Sequence, residues 1–136
     1  MLHWEFSATV VGVTERRSAY VFWHRARPGV PLTEYEKRLQ AFHDGLRVQT
    51  PAGLLRSYTF ALSDAPWIAG DGPAYEDWYE ITGSTALDVL NDVAVSAPMR
   101  PFHDPVAHLA AAGTGGVMRL LRDADEADGV TATWCS

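Results

Sequence analysis

The sequence contains one cysteine, no long apolar run and fewer basic than acidic residues, and each shortage excludes a class of protein. Cys135 has no partner within the chain, so disulfides do not hold the fold together and a cytoplasmic location is expected. No apolar run approaches the roughly 20 residues that cross a bilayer, so no membrane partner is expected. The first residues, MLHWEFSATVV, lack the basic start and apolar core of a signal peptide.

Positive charge is also scarce. The chain has 11 Lys and Arg against 17 Asp and Glu, a formal net charge of −6. A surface that binds phosphates needs clustered basic residues, so this balance argues against nucleic acid as a partner. The motifs GxGxxG, GxxxxGK[ST], GxSxG, CxxC and HExxH are missing from the sequence, so nucleotide binding, serine hydrolysis and zinc proteolysis lack their usual signals.

The remaining composition is that of one globular domain: 136 residues, 47% of them hydrophobic and 21% charged. Alternating or β-branched residues predict strands at residues 4–10, 19–26, 53–63, 74–82 and 115–123. Helical spacing predicts a helix in LTEYEKRLQAFHDGLRVQTP, with Thr33 as its N-cap and Glu36 completing a capping box. A second helix is predicted over GSTALDVLNDVAVSAP, with Ser84 or Thr85 as its N-cap.

The core order is therefore βαββαβ, which places both helices on one face of an antiparallel sheet, a ferredoxin-like α+β arrangement. We expect one domain over residues 1–136, with a core at 19–123, an extra strand and turn at 1–18 and a tail at 124–136. The other face of the sheet would be bare. A second copy of the chain is expected to cover it, because a monomer rarely exposes a large apolar patch. The aromatic residues available to that face are Tyr20, Phe22, Tyr58, Phe60 and Trp78.

Two stretches carry a family resemblance. AYVFWHRARPGVPLTEYEKRLQAFHDGL and AYEDWYEIT, the latter leading on to HDPVAHLAAAG, resemble the dimeric α+β barrel superfamily of ferredoxin-like proteins over about residues 19–123. The resemblance implies homodimers whose sheets pack face to face into a barrel. The superfamily includes cofactor-independent oxygenases acting on polyketide-like aromatics, lactone isomerases, haem-binding enzymes and many small proteins without assigned activity, and this chain is most similar to the last group.

The resemblance implies fold and dimerisation but no particular activity, because no complete catalytic motif matches. It implies no cofactor, with haem as a weaker alternative that rests on the family alone.

The stretch RPFHDPVAHLAAAG contains two histidines and an aspartate. Asp104 followed by Pro105 predicts a helix start, with Gly113 just past the end of the helix. His103 and His108 then take the positions of a hydrophobic staple, whose side chains touch. Two histidines without a third ligand make a poor zinc site, so no metal is predicted. His103 remains a candidate catalytic base and His108 a ligand contact.

His24 is the second candidate base. It shares a strand face with Tyr20 and Phe22, and we expect that face to meet Trp78 and Glu80 of the third core strand. A histidine, a carboxylate and an indole around an apolar cavity would form an acid–base pocket. The alternative is that His24 and Glu80 are solvated strand ends.

Four aromatic residues are candidates for contact with a ligand, although side chains of this kind more often fill a core or an interface. They are Trp23, Tyr58, Trp78 and Tyr79.

Two hypotheses of function follow. The first is a homodimer in which each subunit binds or transforms a small aromatic or polyketide-like molecule without a cofactor, in the manner of a monooxygenase, cyclase or isomerase, with a histidine as base. The second is a non-catalytic dimer, an interaction or stress-related protein whose barrel is filled by side chains. The sequence does not decide whether the protein is an enzyme.

Overall fold

The computed structural model of the protein describes residues 17–119, which form a four-stranded antiparallel sheet and three helices. The strands are β1 (Ser18–Ala26), β2 (Leu54–Leu62), β3 (Ala74–Ile81) and β4 (Ala110–Arg119). Their order in the sheet, β2-β3-β1-β4, is that of a ferredoxin-like fold, as predicted. The predicted strand at residues 4–10 and the tail from residue 124 lie outside the described residues. Within the described part of the chain, no helix is long and apolar enough to span a membrane. The helices are α1 (Leu32–Gln49), α2 (Ser84–Ala94) and α3 (Arg100–Leu109).

The register of the two central strands decides which side chains meet. In the antiparallel pairing of β1 with β3, Phe22 lies opposite Asp77 and His24 lies opposite Tyr75. Because side chains alternate along a strand, these residues share the face that packs against the helices, which we call the helix face. Their sequence neighbours point to the other side of the sheet, which we call the outer face, and these neighbours include Val21, Trp23, Trp78 and Glu80.

Helix α1 begins one residue before the predicted cap. The backbone N–H of Tyr35 donates to the carbonyl of Pro31 at 3.1 Å, so Thr33 already lies in the first turn. No side chain caps this end, and the capping box predicted for Thr33 and Glu36 is wrong. Glu36 instead accepts a hydrogen bond from the Tyr75 hydroxyl at 2.9 Å, which links α1 to β3.

The segment from residue 84 to residue 109 forms two helices. Helix α2 starts after Gly83, and neither Ser84 nor Thr85 caps it. Helix α3 starts at Arg100, four residues before the predicted cap Asp104.

The early start of α3 has a physical cause. The N–H of His103 donates to the carbonyl of Met99 at 2.8 Å, so the first turn forms ahead of Asp104. Met99 is fully buried and anchors this turn, and Pro101 takes the early position at which a missing N–H costs nothing. Pro105 therefore lies inside the helix.

Strand β4 also starts earlier than predicted, at Ala110 instead of Gly115, directly after α3. Gly113 therefore lies in the strand, paired with His24, and not at a helix end. Alanine and glycine have low strand propensity, so the pairing with β1 imposes this conformation.

The loop between β2 and β3 covers part of the outer face. Ala65 and Ile68 are buried in one cluster with Val21, Trp23 and Trp78. The outer face predicted to be bare thus has a partial cover from its own chain. Tyr20 and Phe22, which the sequence offered to that face, lie on the helix face instead.

Arg25 holds this loop in place. Its guanidinium is buried and donates to the carbonyls of Ala65 at 2.8 Å and Ala69 at 3.2 Å, and to that of Gly72. It also donates to the carboxylate of Asp64 at 3.1 Å, and this hydrogen bond lowers the pKa of Asp64. One side chain therefore satisfies several carbonyls that the loop would otherwise leave unpaired.

We expect Arg25→Met to lower the free energy of unfolding by about 2–4 kcal/mol, because hydrogen bonds from a charged donor are lost and buried carbonyls remain. Arg38→Met is the matched control: Arg38 pairs with Glu34 on the surface, so its loss should cost less than about 0.5 kcal/mol. Urea unfolding of the three proteins measures both values. Equal stability of the two variants would contradict the role of Arg25.

Candidate acid–base site between the sheet and the helices

A cavity of about 310 Å³ lies between the helix face of the sheet and the three helices. Its walls are mainly aromatic and aliphatic, and a small group of polar side chains interrupts them. Pockets of this make-up are typical of small-molecule sites, whose volumes run from about 300 to 1,000 Å³. The apolar lining includes Tyr20, Phe22, Leu39, Phe42, Leu90 and Val106, and the polar groups are His24, Tyr35, Asp77, Tyr79, Asn91 and His103.

His24 is the centre of the polar wall and is 2% exposed. Its Nε2 lies 2.8 Å from Oδ2 of Asp77, and its Nδ1 lies 2.6 Å from the Tyr35 hydroxyl. In the neutral ring this arrangement corresponds to Nε2–H donating to the carboxylate while Nδ1 accepts from Tyr35. The aspartate thus selects the tautomer and orientation of the imidazole.

Asp77 is a buried carboxylate with several further partners. The Thr59 hydroxyl donates to Oδ1, and the Tyr79 hydroxyl lies 3.4 Å from Oδ2 as a donor. Burial by itself would raise the pKa of Asp77, but the hydrogen bond with His24 and the nearby imidazoles outweigh it and hold the pKa well below its usual range. Asp77 is therefore ionised at neutral pH.

His43 is a second imidazole beside the same carboxylate. It is 2% exposed, and its Nε2 lies 3.4 Å from Oδ1 of Asp77 without forming a hydrogen bond. Its ring stacks on Tyr79 with centroids 5.4 Å apart. His24 is thus the hydrogen-bonded partner of Asp77, while the nearby His43 lowers the pKa of Asp77 electrostatically.

The tyrosines of the site remain protonated at neutral pH. Burial raises the pKa of Tyr35 above its ordinary value, and the negative charge of Asp77 raises it further. The pKa of Tyr79 is raised for the same two reasons. Both residues therefore present hydroxyl groups that donate hydrogen bonds to the site.

The helices contribute Asn91 from α2 and His103 from α3 to the cavity wall. His103 is partly exposed, its Nδ1 lies 3.1 Å from Oδ1 of Asp104, and its ring packs against Phe42 with centroids 5.9 Å apart. The structure thus brings His24 and His103 to the same cavity from opposite walls.

The predicted meeting of His24 with Trp78 and Glu80 is wrong. Glu80 points to the outer face, where it lies 3.0 Å from the Arg56 guanidinium, and burial raises the pKa of its carboxyl. The reason is the alternation of side chains: the odd-numbered residues of β3 share the face of His24, so Asp77 takes the place expected for Glu80.

The four aromatic residues predicted to contact a ligand are likewise divided between the two faces of the sheet. Tyr79 lines the cavity, while Trp23 and Trp78 donate their indole N–H groups to Glu76 on the outer face, at 2.7 and 2.6 Å. Tyr58 stacks on Trp78 on that face. His108 is exposed on α3 and does not line the cavity, so the predicted meeting with His103 fails together with the predicted helix start.

Three residues of the site were not among the sequence candidates: Tyr35, His43 and Asp77. In the sequence, Tyr35 is one of the residues spaced along the apolar face of α1, so nothing there marked its hydroxyl as a functional group. The alternation of β3 did separate Asp77 from Glu80, but only the register with β1 shows which of the two faces His24.

A metal ion or a haem group would need side-chain ligands at this site. Between residues 17 and 119, no three His, Cys, Asp or Glu side chains are placed to hold a metal ion. His24 uses both ring nitrogens in hydrogen bonds and so has none left to bind a haem iron.

Comparison with known proteins places the fold. No family model matches the chain, and no curated protein matches it significantly. Several solved structures do match the chain in fold. One is SnoaB, a cofactor-independent oxygenase from Streptomyces nogalater, at 11% identity and TM-score 0.56, covering 83% of this chain and 99% of that one.

Two further structures are similar. Hydroxynitrile lyase from Passiflora edulis matches at 8% identity and TM-score 0.54, covering 82% of this chain and 99% of that one. A dimeric ferredoxin-like protein of unknown function from Thermobifida fusca matches at 13% identity and TM-score 0.54, covering 87% of this chain and 100% of that one. The chain therefore has a ferredoxin-like fold, as its sequence indicated.

Asp77→Asn tests the electrostatics of the site. A carboxyl whose pKa is lowered by folding stabilises the folded state above its unfolded pKa, about 4, and this stabilisation is lost as the pH falls toward the folded pKa. We expect the variant to cost roughly 3–5 kcal/mol at pH 7, because one partner of a buried charged cluster is removed. The difference from the wild type should shrink steadily as the pH falls from about 5 to 2.

Urea unfolding across this pH range measures the difference. Asp44→Asn is the control: Asp44 is exposed on α1, so its substitution should change stability by less than about 0.5 kcal/mol. A penalty for Asp77→Asn that is the same at pH 3 and pH 7 would contradict the lowered pKa.

Proposed function

We propose that the protein binds a small aromatic molecule in the cavity and moves a proton on it without a cofactor. The observation that carries this proposal is the chain of hydrogen bonds from Asp77 through His24 to Tyr35, which lies in the wall of an otherwise apolar cavity. A buried carboxylate–imidazole pair costs stability unless it is well bonded, and here it adjoins a space that a ligand can enter.

The proton path follows from the contacts. A ligand with an acidic C–H or O–H gives its proton to the Tyr35 oxygen while the Tyr35 proton passes to Nδ1 of His24. The imidazolium that forms keeps its Nε2–H bond to the ionised Asp77, so the new positive charge faces a fixed negative one. The ligand is left as an enolate or phenolate. It regains the proton at another atom, or one of its carbon atoms forms a bond to dioxygen, supplies two electrons to it and, with the returned proton, gives a hydroperoxide.

Tyr35 rather than His24 meets the ligand in this path, because both nitrogens of His24 are already bonded. Asn91 and His103 on the helix wall supply polar groups for the other end of the ligand. The aromatic walls select planar, apolar bodies. The similarity in fold to a cofactor-independent oxygenase supports the absence of a cofactor from this scheme.

The test uses 2-tetralone, an aromatic ketone with an acidic methylene group, as the probe. We expect the protein to speed deuterium exchange at this methylene, and His24→Gln to lower the rate about 10²-fold or more, the range of a general acid–base group. Binding of the probe should change less than about threefold, because the apolar walls remain. Proton NMR measures exchange, and a dioxygen electrode reports any oxygenation.

His108→Gln serves as the matched control, because His108 is exposed on α3 outside the cavity. Exchange at the wild-type rate in His24→Gln would show that the imidazole is not the base. Failure of the wild type to bind the probe would instead favour the non-catalytic alternative, which the packing of large aromatic residues on the outer face supports.

We propose further that two copies of the chain associate through the outer face. Tyr58, Phe60, Leu62 and Met118 remain only partly buried there, beside the cluster that contains Trp23. Pairing of two such faces would remove this apolar surface from water. The similar ferredoxin-like protein from Thermobifida fusca is described as dimeric, which supports association of two copies.

Sedimentation equilibrium at about 10 µM tests the association. We expect the wild type to have twice the 14.9 kDa mass of one chain and Phe60→Asp to shift toward the single chain, because a charge would be buried unpaired at the interface. Val48→Asp is the control, since Val48 is 79% exposed on α1 away from the outer face. A wild type that sediments as one chain would overturn the dimer.

A further inference from the structure

Strand β4 has glycines where its side chains would face the cavity. Gly113 lies opposite His24 and Gly115 lies opposite Phe22 in the pairing with β1, so both positions belong to the helix face. Neither glycine has a positive φ. Backbone conformation therefore does not require glycine at these positions, and the reason lies in the space around them.

That space is taken by the rings of β1. A Cβ atom at Gly113 would overlap the ring of Phe22, and one at Gly115 would lie 2.8 Å from the ring carbon of Tyr20 that carries the hydroxyl. Phe22 and Tyr20 both line the cavity. Each ring thus leans across β4 because the strand has no side chain beneath it.

The other sides of the Phe22 ring are occupied. Its ring stacks on His24 at 5.4 Å and on Tyr20 at 6.4 Å along its own strand. On the side away from β4 its cross-strand neighbour is Asp77. A ring displaced from Gly113 would therefore move over Asp77 and into the cavity.

We propose that Gly113 is a specificity-determining residue: it fixes how large a ring system the cavity admits by keeping Phe22 against β4. The proposal deepens the proposed function and rests on it, since it concerns the ligand of the same cavity. The ligands it selects are planar molecules of two fused rings carrying a weakly acidic group, which need the volume that a displaced Phe22 would occupy.

The experiment compares two probes, phenol and 1-naphthol, by isothermal titration. Gly113→Ala should weaken 1-naphthol binding at least about tenfold, since one methyl group in an apolar pocket changes discrimination about 10–200-fold. Phenol binding should change less than about threefold, because the smaller ring fits the reduced volume. Gly116→Ala is the matched control: it lies on the same strand, and a Cβ there meets nothing within 4 Å.

A second pair of variants keeps the test decisive if Gly113→Ala folds poorly. Phe22→Leu should admit a larger ring system such as 9-anthrol, and the double variant Phe22→Leu/Gly113→Ala should recover the 1-naphthol binding lost in Gly113→Ala. Such recovery is the non-additivity expected of two residues in direct contact. Independent effects of the two substitutions would overturn the proposal.

A crystal structure of Gly113→Ala separates the proposal from the function on which it rests. We expect the Phe22 ring to be shifted over Asp77 and the cavity to be smaller. If the wild type binds neither probe, the proposed ligand class is wrong. The position of the Phe22 ring in the crystal structure of Gly113→Ala still decides whether Gly113 sets the volume of the cavity. An unmoved Phe22 ring, or 1-naphthol affinity within threefold of the wild type, would overturn the role of Gly113.

Discussion

The carboxylate of Asp77 is the constraint on which the arrangement of this protein depends. It is almost fully buried, and it remains ionised because His24 hydrogen-bonds it and His43 lies close by. An unpaired charge at this depth would cost several kcal/mol. Strand β1 and helix α1 must therefore stay in the positions that bring these imidazoles to β3, so the polar centre restrains the sheet and the helix together.

The two faces of the sheet differ in character. The helix face combines the buried polar centre with a cavity, whereas the outer face combines large aromatic side chains with a partial cover from the β2–β3 loop. Arg25 holds that loop by donating to several of its carbonyls. A cavity thus lies on one side of the sheet, and a partly covered apolar surface lies on the other.

Much of the fold followed from local pattern, and the errors have identifiable causes. The strands β1, β2 and β3 and the helix α1 were predicted to within a few residues, because their apolar periodicities are strong. Helix α3 was misplaced because Pro101 and Pro105 both allow a helix start, and the buried Met99 decides between them. Strand β4 was started too late because pairing with β1 overrides the low strand propensity of its residues.

The amino-acid sequence by itself determined the order of elements and the ferredoxin-like class and made His24 a candidate base, since these depend on periodicity and residue type. Only the tertiary structure decided that His24 meets Asp77 and not Glu80, because adjacent residues of a strand face opposite sides and the register between strands selects one of them. The cavity, too, forms only when the three helices pack on the sheet, and its size depends on the fact that Gly113 has no side chain.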